Sequence, residues 1–263
     1  MKDFLENNRS LWDGWTRLHE KSTFYDLDGI KAGKSSLKPV ELEELGEVSG
    51  KSLLHLQCHF GIDTLSWARL GARVTGVDFS GEAVALARSL SAELGIPAEF
   101  ICSNLYDLPR VLEGEFDIVF TSYGVLSWLP DLDGWAGIIA QYLKPGGAFY
   151  IVEFHPLVFM LGDDGQTLEY PYFHSPLPIK LRAQGSYAAP DADFTHTEYN
   201  WAHSLSDVIN AVLRAGLRLQ FVHEFPYSSC EWPPYLTEQE AGRMQVKGRQ
   251  HDLPLMFSMR GIR

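Results

Sequence analysis

The chain has 263 residues, 45% of them hydrophobic and 21% charged, which suits one large soluble-type domain or one domain with a sizeable insertion. Lys+Arg number 22 against 34 Asp+Glu, a net charge of −12, and no Lys/Arg cluster is visible, so nucleic acid and anionic membrane surfaces are poor partners and a small molecule is the better expectation. No apolar run approaches the ~20 residues of a membrane span. The amino terminus, MKDFLENNRSLWDGW, lacks the basic flank and apolar stretch of a secretory signal, so a cytoplasmic location is expected.

Residues 1–48 read as a helical, aromatic cap segment. Trp12, Trp15 and Tyr25 either close over a ligand or dock as plain structure. From residue 49 strand and helix alternate. SLLHLQ (52–57) reads as a buried strand and DTLSWARLGA (63–72) as a helix stopped at Gly71. ARVTGVDF (72–79) is a second strand. The helix after it is capped by Ser80, carries Ala83, Leu86, Ala87, Leu90 and Leu94 at three- and four-residue spacing, and ends at Gly95 before Pro97. AEFICSN and FDIVFTS are two more strands, DGWAGIIAQYL a helix closed by Pro145-Gly146-Gly147, and AFYIVEF a fifth strand. Such alternation predicts a parallel sheet covered on both faces.

Regularity breaks between about 155 and 200, in a segment rich in Pro and aromatic residues. An insertion after a strand's carboxyl end is expected to lie over the ligand crevice; a plain surface excursion is the competing reading. Order returns with SLSDVINAVLRAG, where Ser204 and Asp207 form a capping box and Gly216 ends the helix. LRLQFVHEF is a strand, and LPLMFSMRGI a last strand, antiparallel at or near the sheet edge. The three cysteines, Cys58, Cys102 and Cys230, form neither a disulfide framework nor a zinc ribbon; Cys58 and Cys102, at strand ends, read as small buried hydrophobes.

Where an α/β sheet binds its ligand, the first strand's loop should be informative. Here it is His55-Leu-Gln-Cys-His-Phe-Gly61, with one glycine. A dinucleotide would need G-x-G-x-x-G so that a pyrophosphate can rest on bare backbone, and this loop fails that pattern. A ligand without phosphates demands less glycine. Asp78, at the end of VTGVDF, can accept hydrogen bonds from two ribose hydroxyls; a charge at a helix amino terminus is its structural alternative. His55 and His59 stand four residues apart across strand and loop, not along a helix, so no metal pair is expected.

At this point the sequence resembles the class I S-adenosylmethionine-dependent methyltransferases, over about residues 51–154 and weakly at the carboxyl end. LLHLQCHFGIDTLSWA corresponds to the family's acidic-residue-G-x-G-x-G motif, and VTGVDFS to its second. FICSNLYDLP covers the stretch that contacts adenine, with Asn104 at that position. FDIVFTSYGVLSWLPD and LKPGGAFYIVEF match the fourth strand and the turn into the fifth. His55 replaces the usual acid, and Gln57 and His59 the first two glycines; the loop is similar to that of a bacterial subgroup with the same H-L-Q-C-H-F-G variant. The resemblance implies a Rossmann-like α/β fold, with a mostly parallel seven-stranded sheet, helices on both faces and an antiparallel carboxyl-terminal strand. It implies S-adenosylmethionine as cofactor, bound by Gln57, Cys58, His59, Gly61, Asp78, Phe79, Asn104, Leu105, Ser122 and Tyr123.

Methyl transfer is an in-line displacement in which the protein mainly positions the reactants. A base is needed only for a protonated acceptor. Glu153 and His155, two apart at the end of the fifth strand and so on one side, and His203 ahead of the next helix are the catalytic candidates. Tyr123 is placed along the methyl path, and Trp128 reads as core packing. The expected function is a methyltransferase acting on a small-molecule acceptor; a non-catalytic S-adenosylmethionine or S-adenosylhomocysteine-binding protein is the alternative.

Overall fold

Strands with apolar side chains at every position need cover on both faces. In the computed structural model, which describes residues 1–246 and 252–263, the central strands have it. In chain order the strands are β1 (Ser52–Leu56), β2 (Arg73–Asp78), β3 (Glu99–Cys102), β4 (Phe116–Ser122), β5 (Leu143–Phe154), β6 (Ile179–Gln184), β7 (Thr195–Asn200), β8 (Arg218–Phe225), β9 (Leu236–Glu240), β10 (Arg243–Val246) and β11 (Met256–Ile262). The helices are α1 (Lys2–His19), α2 (Leu27–Lys31), α3 (Pro39–Leu45), α4 (Ile62–Arg69), α5 (Gly81–Leu94), α6 (Leu132–Tyr142) and α7 (Leu205–Arg214).

Seven strands form one sheet in the order β3-β2-β1-β4-β5-β11-β8. β1 to β5 pair in parallel, while β11 runs antiparallel to both β5 and β8. Side chains divide with the two-residue period of a strand. Leu54 and Leu56 pack with Trp135 and Ile139 of α6 and Val208 and Val212 of α7, whereas Leu53 packs with Trp67 of α4 and Val40 of α3. This is the seven-stranded α/β arrangement expected, with the antiparallel strand one place in from the edge.

Local signals hold where they are strong. Ser80 caps α5 by accepting the Ala83 amide, and Gly95 ends that helix at φ 62°. Ser204 and Asp207 form the expected capping box on α7.

Three regions differ from expectation. The 155–200 segment is not irregular throughout, because β6 and β7 form an antiparallel hairpin within it. A second hairpin, β9–β10, stands between β8 and β11 and was not anticipated. Both are short and set among Pro and aromatic residues that hide their alternation. Cys102 is exposed and so is no buried hydrophobe, whereas Cys58 is buried.

The chain moves outward from β1 through β2 to β3, then returns to β4 on the other side. The loops after β1 and β4 therefore diverge and leave a crevice beyond the strands' carboxyl ends. Helix α1 reaches across to the hairpin: Asn7 Nδ2 donates to the Thr197 carbonyl at 2.7 Å and Asn8 Nδ2 to that of Tyr199 at 2.7 Å. These bonds satisfy backbone carbonyls on the outer edge of β7. Among the described residues, no helix is long and apolar enough to cross a membrane.

Candidate functional site

A cleft of about 1320 Å³ opens over the carboxyl ends of β1, β2, β4 and β5. Pockets for one drug-sized ligand run to roughly 300–1,000 Å³, so this cleft has room for two small molecules side by side.

The β1 loop keeps the shape of a glycine loop without the glycines. Gln57 and His59 lie at φ 56° and 51°, the left-handed region that side chains resist. Two residues there cost on the order of 1 kcal/mol each, and the surroundings hold them in place. The His59 amide donates to Asp78 Oδ2 at 2.8 Å, and Gln57 Nε2 donates to the Val125 carbonyl at 3.1 Å. The His59 ring packs against Trp12, His19, Tyr25 and Phe60, with centroids 4.1 to 5.2 Å away. At Gly61 the glycine is obligatory: φ is 75°, and a Cβ would meet the Phe100 ring at 2.5 Å. Two buried polar atoms in this loop, Gln57 Oε1 and His59 Nε2, make no hydrogen bond. Natively folded chains seldom leave such atoms unpaired, and both belong to residues that line the cleft.

Asp78 ties the second strand to this loop. Its Oδ2 takes the His59 amide and its Oδ1 the Ser80 amide at 2.9 Å. Burial pushes its carboxyl up to about 6, against the pull of those amides. Each oxygen keeps a further lone pair for a ligand donor. Phe79, Asn104, Leu105, Ser122, Tyr123 and Cys58 also line the cleft. Asn104 Oδ1 is committed to the Tyr106 amide at 3.0 Å, which leaves its amide nitrogen as the available donor. The Tyr123 hydroxyl is likewise engaged, donating to Glu41 Oε2 at 2.9 Å.

Where the family's acid would stand, His55 is buried. Its Nδ1 lies 2.8 Å from Thr64 Oγ1 and its Nε2 3.4 Å from Ser122 Oγ, and burial lowers its pKa to about 4. Ser122 Oγ in turn donates to Asp63 Oδ2 at 3.2 Å. A carboxylate in this part of the cleft is thus Asp63, eight residues on, which the motif comparison passed over because it follows the acid-and-glycine positions at 55–61. His55 and His59 face different neighbours and do not converge.

The three catalytic candidates part company. Glu153 lines the cleft, but its carboxylate accepts the amides of Gly124, Val125 (2.7 Å), Leu126 (3.1 Å) and Phe154 (2.7 Å). Burial raises its pKa while those amides oppose the rise. That geometry makes it a clamp on the loop after β4. His155 does not share the cleft: its Nε2 is 3.0 Å from Glu224 on β8, and its Nδ1 accepts the Leu157 amide at 3.1 Å. Glu153 and His155 do share a sheet face, since Glu153 is in register with Phe257 and Glu224 and the imidazole meets both, but the ring leans across the sheet toward β8 and away from the cleft. His203 does line the cleft, with Nε2 donating to the Leu129 carbonyl at 2.7 Å. That bond leaves Nδ1 as the proton-accepting nitrogen, although burial lowers the imidazole to about 4.

Trp128 is half-buried cleft wall, not core; its ring lies 5.3 Å from Trp12 and 5.9 Å from Trp15. Tyr187, His196, Glu198 and Cys230 also line the cleft, and none was legible in advance, since each is brought in by an insertion without a motif.

Comparison with known proteins agrees with this geometry. A family described as a methyltransferase domain matches residues 54–151. The chain is 34% identical over 131 residues to the ubiquinone biosynthesis O-methyltransferase of Xanthomonas euvesicatoria, covering 49% of this chain and 54% of that protein. It is 30% identical over 138 residues to the protein of the same name from Chromobacterium violaceum, covering 51% and 58%. The chain therefore spans about half the length of these curated relatives. Among solved structures, an S-adenosylmethionine-dependent methyltransferase from Mesorhizobium loti superposes with TM-score 0.58 at 19% identity, over 89% of this chain and 100% of that one. The geranyl diphosphate C-methyltransferase of Streptomyces coelicolor does so with TM-score 0.56 at 13% identity, over 85% and 76%. At these identities the structural likeness is one of fold. Residues 54–151 thus match a methyltransferase domain, and the sheet around them has the fold of S-adenosylmethionine-dependent methyltransferases.

Proposed function

We propose that the protein transfers a methyl group from S-adenosylmethionine to a small-molecule acceptor. One observation carries this reading: the β1 loop holds Gln57 and His59 in glycine-like backbone beside Asp78 and leaves two buried polar atoms without partners at the cleft. A ligand with an amino acid end and a ribose supplies what those atoms lack. Gln57 Oε1 accepts from an ammonium, His59 Nε2 donates to or accepts from a polar group according to its tautomer, and the Asp78 carboxylate accepts from ribose hydroxyls. Asn104 and Leu105, which also line the cleft, are the residues we assign to the base. The names of the relatives support a hydroxyl as the acceptor group.

The bound sulfonium supplies an activated methyl carbon and a neutral thioether leaving group. The chain's task is then to align the acceptor and to keep water out. Glu153 holds the loop after β4 in shape through its four amides. His203 Nδ1 is the base we assign for an acceptor that arrives protonated.

The test is calorimetric and then chemical. S-Adenosylhomocysteine should bind with micromolar affinity, and NADH should not. Heat with NADH and none with S-adenosylhomocysteine would overturn the reading. Labelled methyl groups should then appear in a small acceptor; cofactor binding with no turnover on any acceptor would leave only a binding protein.

A further inference from the structure

The hairpin β6–β7 shows the cleft one face, and that face is patterned. On β6 it carries Ile179, Leu181 and Ala183; on β7 it carries Asn200, Glu198 and His196. These residues are direct cross-strand partners, Ile179 with Asn200, Leu181 with Glu198 and Ala183 with His196. An apolar stripe and a polar stripe thus run side by side along the wall. Of the alternate residues of β6, Lys180 and Arg182 do not line the cleft, and Gln184 does so at the strand's end.

Glu198 and His196 form a built pair. His196 Nε2 lies 2.9 Å from Glu198 Oε1, and its Nδ1 lies 3.2 Å from the Phe194 carbonyl. Their side chains are only 5% and 16% exposed for His196 and Glu198, so the pair is shielded from bulk water. Both ring nitrogens face oxygen, and a neutral imidazole has a single N–H to offer. The second hydrogen therefore sits between Nε2 and Oε1, on one atom or the other. In both arrangements Oε2 is an acceptor, and it makes no hydrogen bond among the described residues. The imidazole is immobilised from behind. Trp15 lies edge-on at 5.2 Å and Phe194 stacks at 5.6 Å. Gly14 of α1 leaves the room that Phe194 occupies, since a Cβ there would meet that ring at 2.5 Å.

We infer that this wall selects the acceptor, with Glu198 as the specificity-determining residue: it binds a small amphipathic molecule whose polar end donates a hydrogen bond, and rejects one ending in an anion. The apolar body lies along Ile179, Leu181 and Ala183, and the donor meets Glu198 Oε2. A carboxylate or phosphate would set acceptor oxygens against that acceptor, with no hydrogen to offer. The inference rests on the proposed methyltransferase function only in naming the ligand an acceptor.

The test titrates 4-heptylphenol, heptylamine and octanoate into the full chain, with and without saturating S-adenosylhomocysteine. The phenol or the amine should bind at least tenfold more tightly than octanoate, and the tighter of the two identifies the donor as hydroxyl or ammonium. Glu198→Gln puts an amide N–H donor in place of an acceptor oxygen with little change of shape, and should shrink the preference over octanoate to less than threefold while S-adenosylhomocysteine affinity stays unchanged. Leu181→Ser should weaken the heptyl compounds without restoring octanoate. Equal binding of octanoate by the wild-type chain, or an unchanged preference in Glu198→Gln, overturns the inference. Failure of S-adenosylhomocysteine to bind would instead overturn the proposed function, because the probe titrations without it read the wall on their own.

Discussion

Two loops rise from the carboxyl ends of neighbouring strands, one after β1 and one after β4, and each is held by a carboxylate from the next strand along. Asp78 of β2 holds the first by the amide of His59 and also takes that of Ser80; Glu153 of β5 holds the second by the amides of Gly124, Val125 and Leu126 and also takes that of Phe154. Both loops contain side-chain-bearing residues at positive φ, Gln57 and His59 in one and Tyr123 in the other. The difference lies in how much of each carboxylate is spent. Glu153 is saturated by four donors and is 1% exposed, so it fixes shape. Asp78 has two such donors and 8% exposure toward the cleft, so it fixes shape and still has lone pairs to offer. The same residue chemistry thus serves as a clamp in one place and as a clamp with unspent acceptor capacity in the other.

The largest expected effect is on the clamp. Glu153→Ala would strand several buried amides, each costing roughly 1–3 kcal/mol, so a total loss of about 3–5 kcal/mol is expected in denaturant melts. A variant within 0.5 kcal/mol of wild type would show that the loop after β4 holds itself.

Next comes Asp78→Ala, which should weaken S-adenosylhomocysteine ten- to a hundredfold, the equivalent of roughly 1.5–3 kcal/mol for hydrogen bonds to a charged group. Because the His59 and Ser80 amides also lose their acceptor, a stability loss of about 1–2 kcal/mol should accompany it. Unchanged affinity in the folded variant would make Asp78 a clamp like Glu153.

The pH dependence sharpens the same contrast. The Asp78 carboxyl is raised in the fold, so its contribution to stability is complete below its ordinary value of 3.8 and is lost as pH rises through about 6. Binding a ribose asks for the ionised form, so affinity should run the other way. Calorimetry should record an about tenfold loss of S-adenosylhomocysteine affinity between pH 7 and pH 5, one unit below that pKa. In Asp78→Asn the profile should be flat across this range. A wild-type profile that is flat as well would remove the carboxylate from the binding face.

The smallest effects fall on the backbone. Gln57→Gly relieves a left-handed residue by about 1 kcal/mol but removes the bond to the Val125 carbonyl, worth about as much, so its melting temperature should barely move. Its cofactor affinity should nevertheless fall several-fold. Tighter binding in Gln57→Gly would mean that the side chain only obstructs the loop.

How much of this was legible can be judged residue by residue. The caps of α5 and α7, the strand alternation of β1 to β5 and the antiparallel β11 are local patterns, and local patterns survive folding when the core agrees with them. Asp78 and the β1 loop were legible because a motif ties them to neighbouring residues. The direction of His155, the four amides on Glu153 and the approach of Asp63 to Ser122 were not, because each depends on where a chain end turns after its strand. The pairing of His196 with Glu198 follows from two-residue spacing on one strand, but its place in the cleft depends on α1 packing against β7, 190 residues away in the chain.

By itself, then, the sequence determined the α/β layering, the position of the crevice and the absence of a pyrophosphate loop, since apolar period, caps and glycine count are properties of contiguous residues. Only the tertiary structure decided that Gln57 and His59 take up glycine's backbone and that Glu153 is spent on amides. It alone set His155 apart from the cleft and brought Glu198 into it. In each of these the deciding partner is distant along the chain or brought round by a turn, and hydrogen bonds and burial between such groups exist only once the sheet has assembled.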